Sequence, residues 1–74
     1  MPAVVILRVK DPGPRSTELL GLLERELGVR AIPQTAGYVP LSLDDFDQAS
    51  ARERVVEVLE GVDVDWREHL ELRS

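Results

Sequence analysis

The residues best suited to chemistry lie in one short stretch, 10–17, which reads Lys-Asp-Pro-Gly-Pro-Arg-Ser-Thr. Lys10 and Arg15 bring positive charge, and Ser16 and Thr17 bring hydroxyls. Asp11 and Gly13 shape the turn between them. A strand that breaks here and passes into a helix presents free N–H groups and the positive end of the helix dipole, a combination that attracts anions. Lys10, Asp11, Gly13, Arg15, Ser16 and Thr17 are therefore the candidate binding set for a small anionic ligand. Two features work against it. Pro12 and Pro14 each remove a backbone donor, and the spacing is not the glycine-lysine pattern of a phosphate-binding loop. The competing reading is a capped turn with solvated charges.

The remaining polar groups form no catalytic set. Asp44, Asp45 and Asp47 are the densest acidic cluster. Oxygen ligands of that kind suit a hard cation, but the spacing lacks the glycine and the terminal glutamate of a calcium loop. Acidic residues ahead of a helix are also expected from dipole complementarity alone. His69 is the single histidine, and there is no cysteine. A general base needs a positioned nucleophile and an orienting partner, and the sequence shows neither. The expectation is no catalytic residue, no metal and no cofactor. Tyr38, at a turn, and Trp66, in the last β-prone run, are the candidate interface residues because large aromatic bodies contribute most at contacts.

The elements that would position these groups follow from pattern. Residues 3–9 are β-branched and nearly continuous in apolar character, as in a strand covered on both faces. Ser16 suits an N-cap, and the leucines at 19, 20, 23 and 27 fall on one helical face, so a helix is expected over 17–27 with Gly28 ending it. Residues 29–32 and 38–43 read as a hairpin around Ala36-Gly37, splayed near its tip by Pro33 and Pro40. Ser50 and Glu53 fit a capping box. A second helix then carries Ala51, Val55, Val58, Leu59 and Val62 on its apolar face. An earlier start, near Asp45, would add Phe46 and Ala49 to that face. The helix should end at Gly61. A last strand is expected over 62–72, with Val64, Trp66, Leu70 and Leu72 pointing one way. The predicted order is β-α-β-β-α-β: an α+β, ferredoxin-like two-layer sandwich in which one four-stranded antiparallel sheet carries two helices on one face.

Size and charge bound the rest. A chain of 74 residues is a single domain, 1–74, with a small core and no disulfide to brace it, so self-association is the expected reinforcement. The net charge of −5 argues against nucleic acid, since phosphate contacts need a basic stripe. No apolar run is long enough to span a membrane, and the apolar start lacks the basic flank of a signal peptide; the cytoplasm is the default location.

The Asp11-Pro12-Gly13 turn after the first strand, with Leu27-Gly28-Val29 at the end of the first helix, resembles the ACT domain, a small regulatory ligand-binding fold of the same element order. Here the glycine follows Pro12 directly and Pro14 comes next, which departs from that family's pattern. The resemblance implies paired domains that bind amino acids near the first loop, with Asp11 and Gly13 lining the site. Together these readings predict a small non-catalytic regulatory or protein-interaction module acting as a homodimer or with a protein partner. The alternative is an accessory domain of an enzyme acting on an anionic substrate through Lys10, Arg15 and His69.

Overall fold

A computed structural model describes residues 3–73. Strand β1 (Ala3–Val9) leads into helix α1 (Pro14–Leu27), then strand β2 (Tyr38–Leu43), helix α2 (Gln48–Val62) and the short strand β3 (Leu70–Leu72). One-turn 3-10 segments precede β2 (Thr35–Gly37) and β3 (Trp66–Glu68). The sheet has three strands in the order β2-β1-β3, and both neighbours run antiparallel to the central β1.

Alternation along β1 and β2 decides what is buried. Ala3, Val5 and Leu7 of β1 and Val39, Leu41 and Leu43 of β2 turn inward, joined by Leu70 of β3. Helix α1 adds Leu19, Leu20 and Leu23, and α2 adds Ala51, Val55 and Leu59. These side chains form a single apolar cluster, so both helices lie against the same face of the sheet. The opposite face carries Val4, Ile6 and Arg8 of β1 and Tyr38, Pro40 and Ser42 of β2, and among the described residues no helix covers it.

The expected four-stranded β-α-β-β-α-β sandwich is corrected to a three-stranded sheet with the order β-α-β-α-β. The strand expected at 29–32 does not pair. The Ala31 N–H instead donates to the Glu24 carboxylate on α1 (3.1 Å), and Pro33 then removes the next donor. The segment lies as an extended connection, with Ile32 half exposed. The last strand is also shorter than expected. Helix α2 runs through Gly61 to Val62, and Asp63 closes it by donating its N–H to the Leu59 carbonyl. The Asp63 carboxylate then accepts from the Asp65 N–H (2.9 Å), which turns the chain before it can extend. Trp66 rotates into the core, whereas Val64 is 81% exposed, so the two do not share a face.

Both helix starts move earlier than their capping signals suggested. Gly13 occupies the N-cap of α1 and Pro14 its first position, where a missing N–H costs nothing. Ser16 therefore sits inside the first turn. The N-cap of α2 is Asp47, whose carboxylate accepts from the Ser50 N–H (2.7 Å), so the expected Ser50–Glu53 box is not the cap. Gly28 ends α1 in the left-handed region (φ 64°) as expected.

Candidate functional site

The loop 10–17 sits where β1 leaves the sheet, but its side chains divide between two sides of the molecule. On one side, Pro12, Gly13, Pro14, Ser16 and Thr17 border a groove of about 470 Å³, closed across the way by Val9, Pro33 and Gly37. The far wall is tight. Gly37 (φ 77°) leaves room for a Cβ only at 3.4 Å from the Val9 carbonyl oxygen. Ala36 beside it also adopts left-handed backbone (φ 62°), which few residues other than glycine take up.

The cations face the other way and are already engaged. The Lys10 ammonium donates to the Arg67 carbonyl (2.9 Å). The Arg15 guanidinium grips the Asp63 carboxylate (2.9 Å) and reaches Glu18 (3.2 Å). Ser16 is buried, and its hydroxyl donates to the Asp11 carbonyl. The Thr17 hydroxyl turns back to the Gly13 carbonyl (3.4 Å). Of the six candidate ligand residues, Gly13, Ser16 and Thr17 thus share the groove, while Lys10, Asp11 and Arg15 do not line it. The groove is largely apolar, and the charge meant for an anion is spent on joining elements.

That polar side has a clear electrostatic order. The Asp63 carboxyl is held below the usual carboxylate range, first by the Asp65 N–H and then by Arg15, with a smaller push from His69. The Arg15 guanidinium is raised above its ordinary value chiefly by its bond to Asp63. This pair fastens the first turn of α1 to the end of α2. His69 turns Nδ1 toward the Asp11 carboxylate at 3.7 Å, too far for a hydrogen bond, and among the described residues that buried nitrogen has no hydrogen-bond partner. His69, Lys10 and Asp11 do not line the groove that Gly13, Ser16 and Thr17 border.

Asp44 and Asp45 border a small polar groove of about 130 Å³ at the end of α1, and Asp47 is occupied in capping α2. The Asp47 carboxyl is held below its ordinary range, mainly by the Ser50 N–H. Among the described residues, no cluster of three or more metal-ligating side chains forms. Also among the described residues, no helix is long and apolar enough to cross a membrane. No protein-family model, curated protein or solved structure matches the chain.

The two candidate interface residues part company. Trp66 is wholly buried and belongs to the core, with the Arg67 guanidinium 4.3 Å from its ring centre. It is a packing residue and offers no contact surface. Tyr38 is 36% exposed and lies on the open sheet face, directly across from Arg8. The same face presents Ile6 opposite Pro40 and Val4, 40% exposed, opposite Ser42. The apolar character of β1 signals this surface: Val4 and Ile6 alternate with Ala3, Val5 and Leu7, so they must point away from the core. Two structural side chains carried no sequence signal at all. Gln48 and Asp63 act on partners 44 and 48 positions away.

Proposed function

We propose that this chain is a small non-catalytic protein-interaction module that works as a homodimer, with the open face of its sheet as the contact surface. One observation carries the reading. The covered face is filled by two helices, whereas the other presents a contiguous strip of Val4, Ile6, Pro40 and Tyr38 to solvent. A strip of this kind on a chain with so small a core is worth more buried than wet. The expected result in sedimentation equilibrium is a concentration-dependent dimer. Ile6→Glu, which puts a charge in the middle of the strip, should leave a folded monomer. A wild-type chain that stays monomeric at millimolar concentration would refute the reading.

The groove beside α1 favours a second reading, in which the module is regulatory and holds a small ligand. Its walls are rigid, since Pro12, Pro14 and Pro33 fix the backbone on both sides. The resemblance to ACT domains points to amino acids as the first probes. Thermal unfolding in millimolar concentrations of each would rise for a binder, and Thr17→Val should blunt the rise. Unchanged unfolding across the full set of amino acids would remove this reading.

A further inference from the structure

The contact face has a cross-strand order that a second copy can match, and we infer that two copies stack these faces about a two-fold axis parallel to β1 and passing between β1 and β2. This rests on the open face being the contact surface, and it names the register. Along β1, the outward residues Val4, Ile6 and Arg8 stand beside Ser42, Pro40 and Tyr38 of β2. A two-fold axis between the two strands exchanges their positions. Each β1 residue then faces the β2 neighbour of the other copy: Ile6 meets Pro40, Val4 meets Ser42, and Arg8 meets Tyr38. Aligned stacking with strands nearly parallel is a common way for two sheets to pack.

The chemistry of two of the three pairs fits this register. Ile6 and Pro40 are both apolar, and burying them together leaves no polar group without a partner. Among the described residues, the Arg8 guanidinium is held only by a 3.9 Å ion pair to Glu71, with both side chains more than a third exposed. Such a pair constrains it weakly. Its guanidinium is therefore available to lie over the Tyr38 ring of the second copy, an attraction between a cation and an aromatic face. A shift of the axis to lie along β1 itself would oppose Arg8 to Arg8. The like charges thus exclude an axis along β1, and the three residues of β3 give too short an overlap for an axis between β1 and β3.

The area sets the strength. Seven residues of β1 at about 3.3 Å each, with β1 and β2 as the two overlapping strands about 4.8 Å apart, give a contact patch of roughly 220 Å² in projection per copy. That falls below the standard size of stable interfaces, so the dimer is weak.

The test is nuclear magnetic resonance on an equal mixture of labelled and unlabelled wild-type chain at millimolar concentration. Isotope-filtered spectra report only contacts between copies. The expected contacts run from Ile6 methyls to Pro40 and from Arg8 to the Tyr38 ring. Arg8→Ala should weaken the dimer about tenfold through its two symmetry-related contacts. Tyr38→Ala should do the same, and the double variant should be little worse than either. A dimer that is lost in Ile6→Glu but shows filtered contacts elsewhere, or that ignores Arg8→Ala, would overturn this register and leave the docking face standing. A wild-type chain that remains monomeric would overturn both.

Discussion

Gln48 offers a test of how the central strand is closed. Its side-chain amide donates to the Val4 carbonyl (2.7 Å), and its oxygen accepts from the Val4 N–H (3.2 Å). Those groups point away from β2, toward the side where β3 lies. Strand β3 pairs only with Leu7, Arg8 and Val9, and the Arg73 N–H extends the ladder to the Ile6 carbonyl (2.8 Å). At Val4 the ladder has run out, and one glutamine takes the place of a strand residue. Gln48→Ala removes both bonds. At a solvent-exposed site each is worth about 0.5 kcal/mol, so the loss is about 1 kcal/mol. For a domain of this size that lowers the melting temperature by about 4–8 °C. A chain of 74 residues has roughly 4–11 kcal/mol of stability, so the variant should stay folded. Alanine is the better helix former, so any loss belongs to the two bonds. Hydrogen exchange localises the effect. The Val4 amide should exchange about fivefold faster, while the Val5 amide, which points to β2, should not change. Gln48→Glu keeps an acceptor for the Val4 N–H but sets a second acceptor against the Val4 carbonyl, and it should be no better than alanine. Unchanged Val4 protection in Gln48→Ala would refute the account of the edge.

Three further outcomes follow from the same geometry. The folded chain holds the Asp63 and Asp47 carboxyls below their unfolded values, so their contribution is complete above the ordinary carboxylate range and is lost as the pH falls through the folded values. Denaturant titrations between pH 7 and pH 3 should therefore show falling stability, with a shallower fall in Asp47→Asn, which keeps a cap but has no charge; an unchanged slope would count against this. Ala36→Gly relieves left-handed backbone (φ 62°), and after the added freedom of the unfolded chain it should gain about 0.5 kcal/mol. Gly28→Ala makes the opposite change at nearly the same angle (φ 64°), with open space around the new Cβ, and should cost about 1 kcal/mol. Equal signs for the two in thermal unfolding would show that contacts, not backbone angle, set their effect.

The sequence carried the short-range physics of this fold well and the long-range physics poorly. Both helices were legible because leucines and valines recur at helical spacing, and Gly28 ends α1 where expected. The cap positions were not legible. Ser16 has the right side chain for a cap, but Gly13-Pro14 sets the backbone angle one turn earlier, and the serine hydroxyl turns to Asp11 instead. The missing strand at 29–32 shows a different limit. Its composition is β-prone, yet pairing needs a free neighbour with matching donors. Glu24 had already taken the Ala31 N–H, and Pro33 had none to give. The last strand failed because Asp63 captured the Asp65 amide, a contact set by one carboxylate and invisible in hydropathy. At the candidate site, residue types were legible but directions were not. Lys10 and Arg15 look like an anion clamp until Arg67 and Asp63 take them up.

The way the sheet is finished also decides how copies can meet. A strand edge invites another strand, and each edge here is blunted. On β2, the Tyr38 carbonyl accepts from the Gln34 N–H (2.6 Å), so it points outward, and by the two-residue period Pro40 faces outward too, with no N–H to offer. On the far side β3 is only three residues long, and Gln48 occupies the stretch of β1 that β3 leaves open. Edge-to-edge extension would have to displace Gln48 or pair across a proline. Face-to-face contact needs neither, and the open face holds the apolar strip. Exchange measurements across the monomer–dimer transition separate the two modes. Stacked faces should shift the methyl signals of Val4 and Ile6 and leave backbone protection at Ser42, Leu70 and Leu72 as it was. New protection at those three amides on association would show an extended sheet, and face stacking would be wrong.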